Sequence, residues 1–216
     1  MAVEGDRVVA LGVGLALAAA FVQTTSHLVN EFLLDGEVRN LDADAEFATF
    51  AWAGSVAIFA AGLGATLLAA VRREPRVLYV VGAVLAFLSL DEIVQVHEQL
   101  ALELGDGLGL PDYVGVRLWL VLYGPLLLVI ALILWRYALG LVEEVRRTLV
   151  RGIGLLVSAV ALEAVGLPTK WLAERDVRWP DELRIAAEEA AELGGWILVA
   201  TAFFAVLCSP TRAPMQ

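Results

Sequence analysis

The strongest constraint on this chain is a succession of apolar runs, each long enough to cross a bilayer. Twenty-five consecutive residues, 47–71, carry no Asp, Glu, Lys or Arg, and neither do the 22 residues 8–29. A helix needs about 20 apolar residues to span ~30 Å of hydrocarbon. Hydrophobic residues make up 60% of the 216 positions and the mean hydropathy is +0.77, well above a soluble domain. The expectation is an all-α, polytopic membrane bundle forming one domain over 1–216. Six transmembrane helices are expected at about 8–29, 47–71, 77–100, 114–135, 150–167 and 185–208. No internal repeat or low-complexity linker interrupts them.

The first run has an Ala-Leu-Ala-Ala-Ala stretch that could pass for a cleavable signal peptide. The segment before it sets Glu4 and Asp6 against a single Arg7, and the apolar run continues to Val29, so a retained helix is expected. The six-span reading puts nine Lys or Arg residues on one side, seven of them in the 72–76 and 136–151 loops, against six on the other. The positive-inside rule then makes both termini cytoplasmic. Residue usage rich in Ala, Val, Leu, Gly and Arg points to a prokaryotic plasma membrane. The net charge of −10 argues against nucleic acid or anionic lipid headgroups as partners. Cys208 is the only cysteine, which excludes an internal disulfide and a cysteine-based metal cluster.

The second run places Ala53, Ala57, Ala61, Ala65 and Ala69 at a four-residue spacing. Small residues in such a row let a second helix approach closely, so the stripe reads as a packing device. Pro125 is positioned to kink the fourth helix.

Ionisable residues inside such helices are costly and seldom persist without a partner or a task. The six-span topology brings several to one depth, near the outer ends of four helices. Gln23, His27, Asn30 and Glu31 fall on or near one face of the first helix. The third contributes Asp91, Glu92, His97 and Glu98, the fifth Glu163, and the sixth Glu188, Glu189 and Glu192. On a continuous third helix, Asp91, Gln95 and Glu98 share a stripe and His97 stands about 120° from it.

Carboxylates joined by one or two imidazoles are a ligand set for iron, manganese or zinc. His27, Asp91, Glu92, His97, Glu163, Glu188 and Glu192 are the candidate metal ligands. Asp91, Glu92 and Glu163 are the candidate catalytic carboxylates, and Asp91 and Glu163 are the hardest to explain otherwise. His27 and Glu31, four apart, could share a metal. The Glu-x-x-His spacing of soluble di-iron bundles is absent, since Glu92 and His97 are five apart. Plainer explanations stand beside these. The histidines could be interfacial, and Glu188 and Glu189 could serve the positive end of their helix or pair with Arg184. Glu31 and Glu98 could be wet rim residues, and Arg117 could neutralise a buried acid.

The run Leu88-Ser89-Leu90-Asp91-Glu92, followed by His97-Glu98 near the end of a hydrophobic helix, resembles the shared mark of a group of uncharacterised bacterial multi-pass membrane proteins. The resemblance covers about thirteen residues. It implies a site at Asp91, Glu92, His97 and Glu98 and carries no activity with it. There is no His-Glu-x-x-His. Glu188-Glu189 lacks the companions found in CAAX-type proteases, and two histidines cannot build the three-histidine set of ceramidase-like hydrolases.

The leading expectation is a metal-binding membrane protein, open to the outer face, with the option of metal-dependent chemistry on a lipid-like or other membrane-resident substrate. A proton- or cation-coupled transporter using the same acids is the first alternative. A haem held by His27 and His97 and a partner-binding or homo-oligomeric role remain open beside it.

Overall fold

In the computed structural model, residues 2–43, 45, 48–110, 115, 118–166, 169 and 177–209 are described. Among them are seven α-helices and one short 3-10 turn. The helices are α1 (Ala2–Leu33), α2 (Thr49–Val71), α3 (Val77–Val94), α4 (Val96–Gly107), α5 (Trp119–Ala138), α6 (Glu143–Ala164) and α7 (Trp179–Cys208). The 3-10 turn, Arg39–Leu41, lies between α1 and α2. Five helices are long and apolar enough to cross a membrane: α1, α2, α3, α5 and α7. Large apolar side chains such as Leu11 and Phe21 on α1, Phe59 on α2, and Val121 and Leu128 on α5 stay exposed. Contiguous apolar surface of this kind fits lipid better than water.

The expected fifth span overlaps α6, which ends at Ala164 and is long enough at 22 residues. It carries Glu143, Glu144, Arg146, Arg147, Arg151 and Glu163, and so falls outside that apolar set. Helix ends also shift. α1 extends beyond 8–29 at both ends, and α7 begins at Trp179 rather than near 185, with Pro180 in its first turn and Asp181 and Glu182 behind it. Proline suits the first turn because its missing N–H is not needed there. The expected ends at Phe47, Val114 and Leu167, and Arg117, lie outside the described residues.

α7 is the central helix, with two thirds (67%) of its most apolar stretch buried. It packs against α1, α2 and α6; α3 lies against α2, and α5 against α6 and α4. The alanine stripe behaves as expected. Ala57, Ala61, Ala65 and Ala69 are buried together with Gly54, Gly62 and Gly64. Two close crossings set glycine on glycine. A Cβ on Gly62 would stand 3.0 Å from the Gly82 carbonyl oxygen, and one on Gly152 would stand 2.9 Å from that of Gly195. These contacts bring α2 to α3 and α6 to α7 at backbone distance. At one end of the bundle the Arg72 guanidinium donates to the carbonyls of Leu207 and Ser209. A cation there suits the negative end of α7.

The third helix departs most from expectation. It does not run to residue 100 but stops at Val94, and α4 starts at Val96 after a single residue, Gln95. Gln95 is left-handed, at φ 59° and ψ 39°. Such a residue commonly ends a helix, although glycine usually fills the role. The break falls inside the Leu88–Leu100 segment.

Candidate functional site

The polar residues fall into three groups along α7, which acts as a ruler. From Glu182 to Glu192 is ten residues, about 15 Å of helix at 1.5 Å per residue. The acids are therefore spread along the axis instead of sitting level.

The first group joins α1 to the start of α7. His27 is 1% exposed. Asn30, fully buried, turns the chain back over the end of α1: its side-chain oxygen accepts the Val38 N–H at 2.9 Å, and its backbone oxygen accepts the Gly36 N–H at 2.9 Å. The returning segment sets Asp42 Oδ1 3.1 Å from His27 Nδ1, and the Ala43 N–H donates to the same Nδ1 at 3.1 Å. Nδ1 therefore has an acceptor and a donor within reach, one for each tautomer. On the other side of the ring, Nε2 lies 3.3 Å from Glu182 Oε2 but is buried without a hydrogen bond among the described residues. One ligand atom from each of His27, Glu31 and Glu182 fits within 4.8 Å of the others. Ligands 2.0–2.1 Å from a tetrahedral ion stand roughly 3.3–3.4 Å apart, so this trio would draw together on binding one. Asp42 would then take the Nδ1 proton and orient the ring, the usual arrangement behind a metal-bound histidine. Arg178 Nη2, on an exposed side chain, lies 3.2 Å from Glu31 and 3.9 Å from Glu182. One turn deeper, Gln23 is likewise 1% exposed; its Nε2 donates to Glu189 at 3.5 Å while its Oε1 is buried without a hydrogen bond among the described residues.

The second group is an ion-pair network. The buried Arg184 guanidinium meets Asp181 at 3.0 Å, Glu163 at 3.5 Å and Glu188. Asp181 also accepts from the Thr169 hydroxyl at 2.8 Å. A guanidinium with its planar fork of donors is well suited to several carboxylates at once.

The third group surrounds the break between α3 and α4. With the helix reset at Gln95, His97 swings back onto Asp91, and its Nδ1 lies 2.6 Å from Asp91 Oδ2. The His97 backbone N–H also donates to Asp91 Oδ1 at 3.2 Å. Asp91, 3% exposed, thus fixes the imidazole and caps the first turn of α4. The expectation that His97 faces away from Asp91 is corrected, because it assumed one continuous helix. The ring rests against Trp119 and Tyr123 at centroid distances of 5.5 and 5.6 Å. Ser89 of the same motif clamps α3 to α2: its hydroxyl donates to the Ser55 carbonyl at 2.9 Å, and the Ser55 hydroxyl donates back to the Ser89 carbonyl at 2.7 Å. Asp91, Glu92, His97 and Glu192 all line one cavity of about 340 Å³. Glu192 accepts the Trp196 indole N–H at 3.2 Å.

The expected ligand set is thus divided. His27 joins Glu31, read from the sequence as either its metal-sharing neighbour or a rim acid and with a side chain only 9% exposed, and Glu182, a residue the sequence did not single out. Asp91, Glu92, His97 and Glu192 share the cavity, while Glu163 and Glu188 sit on Arg184. His27 and His97, the pair considered for a haem, each sit against their own carboxylates. The missed residues carried a weak signal: Asp42 lay in an acidic loop with no periodicity, and Glu182 preceded the span as drawn.

Residues 7–207 match a family described as "Domain of unknown function (DUF8692)". The chain belongs to this family. The match takes in all three polar groups of the DUF8692 bundle. No curated protein and no solved structure matches the chain.

Proposed function

We propose that this DUF8692 protein is an integral membrane protein that binds one divalent transition metal through His27, Glu31 and Glu182, with Asp42 orienting the imidazole. One nitrogen and two carboxylates suit iron, manganese or zinc, and three protein ligands leave coordination positions open to water or substrate. The observation that carries this reading is the buried His27 Nε2, which has no hydrogen bond among the described residues and lies 3.3 Å from Glu182. In the full reading α6 is a sixth span, both termini are cytoplasmic, and the metal lies toward the outer face of a prokaryotic plasma membrane. Water activated on the metal would supply hydrolytic chemistry to a membrane-resident substrate.

A binding site is favoured over a transport route by how the acids end. They stop at Glu192, beyond which the buried Trp196, Val199 and Phe203 fill α7.

The test is metal content by elemental analysis of protein purified in mild detergent without chelators. Wild type is expected to hold one metal per chain, and His27→Ala/Glu182→Gln to hold none. Arg178→Gln distinguishes the metal from a plain ion pair, because it should retain the metal. Metal-free wild type, or loss of metal in Arg178→Gln alone, would sink the proposal.

A further inference from the structure

The cavity at the α3–α4 break has one polar end and a long apolar body. Its polar end holds Asp91, Glu92, His97 and Glu192 with the rings of Trp119, Tyr123 and Trp196. The body runs between α5 and α6, past residues such as Leu127, Leu134, Leu156 and Val160. The charges at the polar end do not balance. Asp91 is matched by His97 at 2.6 Å. Among the described residues, Glu192 receives one neutral donor, Trp196 Nε1, and shares the attraction of His97 with Asp91, whereas the charged groups acting on Glu92 are all acids: Glu192, Glu98 and Asp91. Among the described residues, no Lys or Arg lines the cavity. Two ionised carboxylates held against an apolar wall are costly unless a cation joins them, which makes a cation the ligand best matched to this lining. Trp and Tyr faces attract ammonium groups through their ring quadrupoles, and aromatic walls with carboxylates are the usual surroundings of a bound quaternary amine.

We propose that this cavity binds a hydrophobic cation, a single-chain alkylammonium amphiphile, with its ammonium among Glu92, Glu192 and the aromatic rings and its chain between α5 and α6. The volume lies at the small end of the range for ligand pockets, enough for one chain and too little for a two-chain phospholipid. An anionic amphiphile would bring a further negative charge to three carboxylates, and a neutral one would leave Glu92 and Glu192 unbalanced. The site shares no residue with the His27 group, so this inference stands apart from the metal reading.

The test uses full-length protein in maltoside detergent with EDTA present and follows tryptophan emission, since Trp119 and Trp196 line the cavity. Octyltrimethylammonium is expected to give a saturable change. Octanol should bind at least tenfold more weakly, and octanoate not at all. Glu92→Gln/Glu192→Gln should weaken the cation at least tenfold. Gly124→Leu provides a second variant that does not depend on the acids. Gly124 lines the cavity and a Cβ there meets no atom within 4 Å, so leucine should fill the space, abolish binding and leave thermal unfolding unchanged. Equal binding of octanol or octanoate, or undiminished cation binding in a folded Gly124→Leu protein, would overturn the proposal.

Discussion

Asp91 and His97, six residues apart, meet at 2.6 Å because the helix between them is broken at Gln95. On an unbroken helix the two side chains would point about 120° apart. The same carboxylate bonds the His97 backbone N–H, so the pair is both the turn's closure and the polar end of a cavity. Asp91→Ala removes the cap and the imidazole partner together. It is expected to cost about 1–3 kcal/mol in unfolding free energy, and Asp91→Asn, which keeps an oxygen acceptor, should cost less. Thermal unfolding in detergent, with hydrogen exchange at the first amides of α4, measures both.

The break also makes a prediction of opposite sign to the continuous-helix alternative. Gln95 has positive φ, where a non-glycine residue costs about 1–2 kcal/mol. Gln95→Gly should therefore raise the unfolding temperature, and Gln95→Val should lower it. Within a continuous helix, Gln95→Gly would instead cost roughly 1 kcal/mol. Comparing the two melting temperatures with wild type decides between them.

Two glycines on α6 form a matched pair. A Cβ on Gly152 would stand 2.9 Å from the Gly195 carbonyl and 3.1 Å from the Val199 amide nitrogen, both backbone atoms of α7, whereas one on Gly154 meets nothing within 4 Å. Gly152→Ala is expected to destabilise by about 1–3 kcal/mol through overpacking. Gly154→Ala should be neutral or slightly stabilising, since it only adds helix propensity. Unfolding curves of the two variants check the α6–α7 crossing.

The Arg184 network calls for a rescue experiment. Removing one partner of a buried ion pair typically costs about 3–5 kcal/mol, because the other charges stay buried and unpaired. Arg184→Met should therefore unfold at a clearly lower temperature. Adding Glu163→Gln and Glu188→Gln should restore part of the loss. A triple variant no more stable than Arg184→Met would show that the acids are not held by this cation.

Much of this was legible in the sequence for reasons of period and charge. The apolar runs located the five membrane-length helices, and the alanine spacing located the tight face of α2. The Leu88–Leu100 segment stood out by its charges in an apolar run, but its geometry was hidden. Gln95 occupies a left-handed position that no glycine marks, and one such residue redirects everything after it. Glu163 looked unexplained because Arg184 was counted as a loop cation outside the span. In the structure α7 starts six residues earlier, which puts Arg184 inside the helix and against Glu163. The carboxylates around His27 were harder still. Asp42 reaches it only after the chain folds back over α1, a tertiary event with no local signature.

The account's central claim is that His27 is a metal ligand, and X-ray absorption at the edge of the metal that copurifies tests it most directly. The predicted spectrum has a first shell of oxygen and nitrogen at about 2.0–2.2 Å, with the outer-shell scattering of one imidazole, and that imidazole signature disappears in His27→Ala reloaded with the same metal. An all-oxygen shell in the wild type, or an imidazole signature that survives in His27→Ala, would contradict it.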